Sequence, residues 1–333
     1  MIDKTTKGIL GLLKDQSLSH TLGGHIVGRR DYFASIIETA NYWDLATTTD
    51  GVGSKVDHLI EHELYDIIGK DCVAMNLNDA ICVGANPIGF SNHITLSKSH
   101  RHIVPEVING MIEYCKESFC MITGGETEIL KDTKFHISGS SLGIITDKKF
   151  IIDGSSVKDG DYIIGLESNG VHANGWTAIH DKTPKLISKD TLLPTKLYVN
   201  DINAFKTRIN EPYVPINITG GGFRNLERIP LNLKYDIEYK SNQTVFEILE
   251  DYFCHEELYT NFNMGIGMMV IVKPSDVDFA LRIMENASVI GRVVTSDCPN
   301  VVVNGTKIFD GDVEKYENVE VKYRDSPINL TDN

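Results

Sequence analysis

Short apolar runs that end in glycine-rich polar junctions recur along this chain, and that recurrence limits the fold more than any other feature. Trp43 to Thr49 leads into Asp50-Gly51-Val52-Gly53-Ser54-Lys55, and Cys120 to Thr123 into Gly124-Gly125-Glu126-Thr127. Tyr162 to Leu166 leads into Ser168-Asn169-Gly170-Val171-His172-Ala173-Asn174-Gly175, and Ile216 to Ile218 into Thr219-Gly220-Gly221-Gly222-Phe223. Each run has strand length, and each junction hands a rigid element over to a loop. The last two units, each followed by a predicted helix, imply an α/β layer with polar loops gathered at the strand ends.

Helical spacing supplies the rest of the frame. From Ile67, the apolar positions Ile68, Cys72 and Met75 and the acid Asp79 fall on one period, which places Asp79, beside Asn78, near the end of a buried helix. Val104, Val107, Ile108, Met111, Ile112 and Cys115 stripe a second helix, with Pro105 in its first turn. Val245, Ile248, Leu249 and Tyr252 predict a third. Ser275 is expected to cap a fourth, through Val277, Ala280, Leu281 and Met284, with Asp278 at the capping-box position. Cys120 to Thr123 and Met268 to Val272 read as buried strands. A short helix is expected around Ile9 to Lys14, then a loop from Leu22 to Gly28 that is either a flap over a ligand or a surface connection. The texture changes between Thr146 and Asp161, so a domain boundary is expected there, giving domains 1–147 and 148–333; 333 residues are long for one core and comfortable for two.

A formal net charge of −14 with no run of Lys or Arg argues against a nucleic-acid surface. It leaves room for an anionic small substrate, which needs only local positive potential. The six cysteines show no CxxC spacing and several sit in apolar runs, as expected for free thiols in a reducing compartment. No stretch of about 20 apolar residues occurs, so no membrane span and a cytoplasmic location are expected.

Asp50, Asp79 and Glu126 are candidate ligands for Mg²⁺ and nucleotide phosphates, because Mg²⁺ takes a few hard oxygens and backbone amides reach phosphate only where side chains are absent. Lys55 is a candidate phosphate contact. Each acid has a second reading, as a turn or cap residue. The glycine spacing before Lys55 is not that of the phosphate loop, and Gly51-Val52-Gly53 lacks the third glycine of a dinucleotide fingerprint. His172, between two Asn-Gly pairs, is a candidate general acid/base or a loop histidine bonded to local backbone. His58 and His62 read as an exposed helix face, His100 and His102 as solvated residues before a helix, and His255-Glu256-Glu257 as a charged helix end.

Seven segments occur in one order: Thr49–Lys55, DCVAMNLND from Asp71 to Asp79, GGET from Gly124, SNGVHANG from Ser168, PTKLYV from Pro194, TGGGF from Thr219 and FNMGIGM from Phe262. Together, from about Leu22 to Val294, they resemble the phosphoribosylformylglycinamidine cyclo-ligase, or aminoimidazole ribonucleotide (AIR) synthetase, family of purine biosynthesis. The resemblance implies an α+β, two-domain fold. Its N-terminal sheet pairs across a homodimer into a barrel, and a C-terminal α/β domain completes the substrate cleft. It implies ATP with Mg²⁺, formylglycinamidine ribonucleotide as substrate, and an iminophosphate intermediate; a monovalent cation is left open. Carried onto this chain, Asp50, Asp79 and Glu126 hold metal and ATP, with Gly51, Lys55, Gly124, Gly125 and Thr127 at the nucleotide. Gly23, Gly24, Asn169, His172, Asn174, Thr219, Gly220, Gly221 and Gly222 line the substrate site, and His172, Asp79 and Lys55 are the catalytic candidates.

The chain departs from the family pattern in places. The N-terminal extension rich in Tyr, Asp and Gly is largely missing, and the loop at Gly23-Gly24-His25 is short. GGET continues as Glu128-Ile129-Leu130 instead of Ala-Glu-Met-Pro. Asn217 stands where a histidine usually precedes TGGG, and Ser91-Asn92-His93 where an aspartate is frequent. These positions face ATP or substrate, so they bear on efficiency and substrate and not on fold. Other ATP-using families on a similar scaffold fit less well. No Cys precedes Cys72, against selenophosphate synthetase; the chain ends Leu330-Thr331-Asp332-Asn333, against the hydrogenase-maturation dehydratase; SNGVHANG with TGGGF speaks against thiamine-monophosphate kinase. A catalytically weak nucleotide-binding regulator is the alternative from another class.

Overall fold

The computed structural model describes residues 24–27, 32–39, 43–209, 211–229 and 231–310. The helix expected at Ile9–Lys14, the residue Gly23 and the end of the chain lie outside them. Gly24 opens a strand, β1 (Gly24–Val27), where a loop was expected.

The first half builds a six-stranded sheet from β1, β2 (Ser35–Thr39), β3 (Asp44–Gly51), β4 (Asn86–Leu96), β5 (Met121–Ile129) and β6 (His136–Ile145), in the order β1-β2-β3-β6-β4-β5. All its pairs are antiparallel except β4 with β5, which are parallel because a helix crosses between them. Burial alternates along β6, so Ile137, Gly139 and Ser141 face inward while Leu142 faces out. The inner face is covered by α2 (Tyr65–Cys82), which follows the short α1 (Lys55–Glu61) and is buried nearly all round. Such a helix belongs to a core and not to a surface. Behind it lies α3 (Val104–Glu117), with Pro105 in its first turn and Val107, Met111 and Cys115 buried as the stripe predicts. Glycines allow these helices to touch: a Cβ on Gly110 would stand 1.9 Å from the Asp66 carbonyl oxygen, and one on Gly69 1.9 Å from that of Val107.

The second half builds a seven-stranded sheet from β7 (Tyr162–Glu167), β8 (Val214–Asn217), β9 (Leu233–Ile237), β10 (Ile266–Val272), β11 (Ala287–Thr295), β12 (Asn300–Val303) and β13 (Thr306–Asp310), ordered β13-β12-β9-β11-β7-β10-β8. Its pairs are antiparallel apart from β9 with β12. β10 is buried along its whole length and lies inside the sheet. Its helices are α4 (Trp176–Lys182), α5 (Val199–Lys206), α6 (Thr244–Glu250), α7 (His255–Asn261) and α8 (Val277–Ile283).

Several local expectations need correcting. The strand expected to be short and buried at Cys120–Thr123 is the edge strand β5, exposed along most of its length, and it runs on through Gly124, Gly125, Glu126 and Thr127. In α6 the buried residues are Phe246 and Leu249, while Tyr252 lies beyond the helix, exposed. Ser275 sits in a 3₁₀ turn, and α8 is preceded by Asp276, whose side chain makes no cap bond. The capping box belongs to α7, where Cys254 and Glu257 satisfy each other's main-chain N–H. His58 is buried, and its ring stacks on His180 at 5.3 Å. After TGGG the chain forms a 3₁₀ helix, Gly222–Arg228.

Candidate active site

Polar residues on a buried helix need partners: on α2, Asn76 finds its own within the first half, at Thr48 and the Asp50 carbonyl, while Asp71, Asn78 and Asp79 reach into the second. Asp71 Oδ1 accepts from the Thr195 amide (2.7 Å), and its other oxygen pairs with Lys55 Nζ at 2.8 Å. Lys55 Nζ also donates to the Leu193 carbonyl (2.6 Å) and lies 5.8 Å from the centre of the Trp176 ring. Asn78 Oδ1 accepts from the Tyr198 amide (3.0 Å), and its Nδ2 donates to the Lys196 carbonyl (2.9 Å). Segments DCVAMNLND and PTKLYV are therefore one seam. Lys55 and Asp71 are fully buried; burial holds the Lys55 ammonium below its ordinary pKa, and Asp71 opposes that shift. The Lys55 ammonium is thus enclosed by Asp71, the Leu193 carbonyl and the Trp176 ring, with no exposed surface.

Two of the three acids come together. Asp50 lies next to the end of β3, where its Oδ1 accepts from the Gly51 amide (2.7 Å). Asp79, partly exposed on α2, accepts from Asn217 Nδ2 (2.8 Å) at the end of β8. Burial pushes both carboxyls up, Asp79 to about 7; the Asn217 hydrogen bond and the Arg228 guanidinium oppose this at Asp79, and Asp50 adds to it. Arg228 acts on both acids. It donates to the Tyr32 carbonyl (2.8 Å) and to Asn225 Oδ1 (3.2 Å), and lies over the Phe33 ring.

Glu126 does not join them. Asp50, Gly139, Asn92 and Gly125 stand in one row across β3, β6, β4 and β5, which separates Asp50 from Gly125 by three strand spacings, roughly 14 Å. Glu126 Oε1 accepts from the neighbouring Thr127 amide (3.0 Å). Among the described residues no group of three or more His, Cys, Asp and Glu is placed to hold a metal. The single three-acid cluster that the sequence invites is not formed. Asp50 and Asp79 by themselves fit Mg²⁺, which takes one or two carboxylates and completes its shell with phosphate and water. Their raised pKa values mark carboxylates that a cation would relieve.

The loop after β7 is built around Asn263, whose Nδ2 donates to the Gly170 and Val171 carbonyls (2.8 and 3.1 Å). His172 takes a left-handed conformation there (φ 66°), and its carbonyl accepts from Trp176 Nε1 (2.6 Å). Its ring is buried, and Nε2 accepts from the Asn169 amide (3.2 Å) and the Lys196 amide (3.4 Å). Burial pushes its pKa down to about 3, with Lys55 and Lys196 adding to the shift. The ring is therefore neutral, with Nε2 engaged as an acceptor, and it closes the loop onto PTKLYV. Asn174 faces outward instead. With Gly175, Thr177, Asp181, Gly220 and Gly221 it lines a cleft of about 390 Å³. Asn169 is exposed at its own end of the loop, and Gly222 is packed against the Tyr259 carbonyl.

Sequence reasoning missed Asp71, Asn78 and Arg228. The first two stood inside a quoted motif, and their signal was polarity on a helix too apolar to be a surface one. Arg228, nine residues beyond Thr219, carried no signal of its own.

Two α/β halves, each with its own sheet and joined along a polar seam, define the AIR-synthase fold. The crystal structure of a HypE–HypF complex superposes with a TM-score of 0.63 at 17% identity, covering 93% of this chain and 99% of that one. Thiamine monophosphate kinase from Aquifex aeolicus gives 0.58 at 16%, covering 92% and 99%. The family models "AIR synthase related protein", N-terminal and C-terminal domains, match residues 33–145 and 158–304. The phosphoribosylformylglycinamidine cyclo-ligase of Thermoanaerobacter pseudethanolicus is 38% identical over 80% of this chain and 87% of its own length. That of Methanocaldococcus jannaschii is 34% identical over 87% and 88%. This chain belongs to the AIR synthase family of enzymes.

Proposed function

We propose that the protein catalyses ATP-dependent cyclisation of formylglycinamidine ribonucleotide to aminoimidazole ribonucleotide, releasing ADP and phosphate, in purine biosynthesis. A formamide oxygen is a poor leaving group. Transfer of the γ-phosphoryl group onto it gives an iminophosphate; the neighbouring amidine nitrogen then attacks that carbon, the C–O bond breaks and phosphate departs. Phosphoryl transfer asks the protein mainly for positioning and charge neutralisation.

The seam supports that division of labour. Asp50 and Asp79 are the residues that would hold Mg²⁺ with ATP, and the cation supplies charge neutralisation on the phosphates. Gly124 to Thr127, on an edge strand with one unpaired side, offers main-chain N–H groups and the Glu126 carboxylate to the nucleotide. Asn169, Asn174 and Thr219 to Gly222 take the ribonucleotide. Lys55 and His172 act by holding the walls of the cleft, a change from the catalytic roles their motifs imply. The observation that carries the reading is the Asp79–Asn217 hydrogen bond. It brings the acids of the first half to the root of TGGG in the second, in a chain whose relatives bear the name of this reaction.

The same reading includes a homodimer, a domain boundary between residues 147 and 148, and a cytoplasmic location; among the described residues no helix is long and apolar enough to cross a membrane. The test is to incubate the purified protein with Mg-ATP and formylglycinamidine ribonucleotide and follow ADP and aminoimidazole ribonucleotide together. Equal appearance of both is expected. ATP binding with neither product overturns the reading in favour of a regulatory homologue, and ADP formed only with another acceptor shifts it to a different substrate.

A further inference from the structure

The C-terminal end of α3 carries a feature that the proposed reaction does not use. Beyond its cap residue Ser118, Phe119 lies in the left-handed region (φ 54°) and is 88% exposed. The Phe119 amide donates to the Lys116 carbonyl (3.2 Å), and the Cys120 amide to the Cys115 carbonyl (2.8 Å). These two bonds define a Schellman motif, in which the sixth residue folds back over the first so that their side chains meet. The residues that meet in such a motif are ordinarily apolar. Here both are cysteines, both are buried and both are free thiols, and the Cys120 S–H is directed at the Met121 carbonyl (3.9 Å).

We infer that Cys115 and Cys120 are a thiol-oxidation site that hydrogen peroxide closes into an intramolecular disulfide. A disulfide needs Cα atoms roughly 4.4–6.8 Å apart. A main-chain hydrogen bond of 2.8 Å joining the same two residues holds them near that range. No other pair of the six cysteines has a backbone motif that brings its side chains together among the described residues; Cys254 is exposed in the α7 cap and Cys298 lies in the second half. Cys72, buried in α2, is the one competitor near Cys115.

The chemistry balances. The Cys120 sulfur, as thiolate, attacks one peroxide oxygen; the O–O bond breaks and hydroxide leaves, forming a sulfenic acid. The Cys115 sulfur loses its proton and attacks the sulfenic sulfur; the S–S bond forms, the S–O bond breaks and the oxygen leaves as water. Two thiols and one hydrogen peroxide become one disulfide and two waters. Cys120 is the less deeply buried of the two and is the one whose pKa is lowered beside its neighbour, so it attacks first. Cys120 immediately precedes β5, so the bridge anchors the start of the strand that carries Gly124 to Thr127.

The experiment needs no activity and so is independent of the proposed function. The full-length protein is treated with hydrogen peroxide, its thiols are counted in denaturant, and its peptides are mapped without reduction. Loss of two of the six thiols, one Cys115–Cys120 peptide and full recovery with dithiothreitol are expected. Six persistent thiols, or a bridge to Cys72, Cys254 or Cys298, would overturn the inference. In Cys115→Ser, peroxide should leave Cys120 as a dimedone-trappable sulfenic acid; a variant that still forms a bridge there is equally contrary. If that variant does not fold, the wild-type map alone decides.

Discussion

Lys55 and Asp71 show how a lysine that follows a glycine-rich junction can serve the interior. Both are fully buried and paired at 2.8 Å, so removing one partner strands a charge, whereas replacing both need not be costly. Lys55→Met is predicted to lower unfolding free energy by about 3–5 kcal/mol, measured with urea, and Lys55→Met/Asp71→Leu to recover most of it. Unchanged stability with weakened ATP binding would return Lys55 to the phosphates. His172 gives a pH signature. Its folded pKa is about 3 against an ordinary 6.5, so below pH 6.5 the unfolded chain takes up a proton that the folded chain refuses. The stability tied to His172 is therefore fully present above pH 6.5 and is lost as pH falls toward 3. His172→Gln should flatten that part of the profile in urea midpoints taken from pH 7 to 4. Parallel profiles would show that the ring is not excluded from protonation.

At the scale of elements, periodicity was a good guide where one residue type sets the packing. The buried stripe of α3, the position of Asp79 near the end of α2 and the buried run of β10 could be read directly, because apolar spacing records which residues are inside. It failed at β5, where glycines and acids that suggest a loop are hydrogen-bonded as an edge strand. It failed again at Ser275, because a 3₁₀ turn moved the helix start. The glycines that let α2 and α3 touch left no mark either, since spacing does not show how closely two helices approach. Gly110→Ala would place a methyl 1.9 Å from the Asp66 carbonyl oxygen and must push the helices apart. A loss of about 1–3 kcal/mol or more is predicted, seen as a lower melting temperature, with an unchanged melting temperature as the contrary result.

For the whole molecule, the layer of the second half was legible in its strand–glycine junctions, and the sheet of the first half was implied by the family resemblance. The partners across the seam were not, since Asp71 with Thr195 and Asp79 with Asn217 join positions more than a hundred residues apart. The same distance explains why Glu126 could be grouped with Asp50 on paper and stand three strands away in the fold. The outer face of the first sheet displays Leu142 and Met121, brought together by the register of Gly89 with both, and Ile88 at the bulge beside Gly89; all three are exposed in the single chain. In the proposed dimer this face is covered. Leu142→Glu should therefore shift sedimentation from dimer to monomer while leaving circular dichroism unchanged, and a wild-type monomer would remove the dimer from the account.

Chemistry joins these scales, and the most direct test of ATP-driven cyclisation follows one oxygen atom. Formylglycinamidine ribonucleotide labelled with ¹⁸O at the formyl position is turned over with Mg-ATP, and the inorganic phosphate is analysed by mass spectrometry. Phosphorylation of the formamide oxygen predicts one ¹⁸O in each phosphate released, matched by aminoimidazole ribonucleotide. Unlabelled phosphate alongside cyclised product would mean that ATP is spent elsewhere and that ring closure does not pass through the iminophosphate.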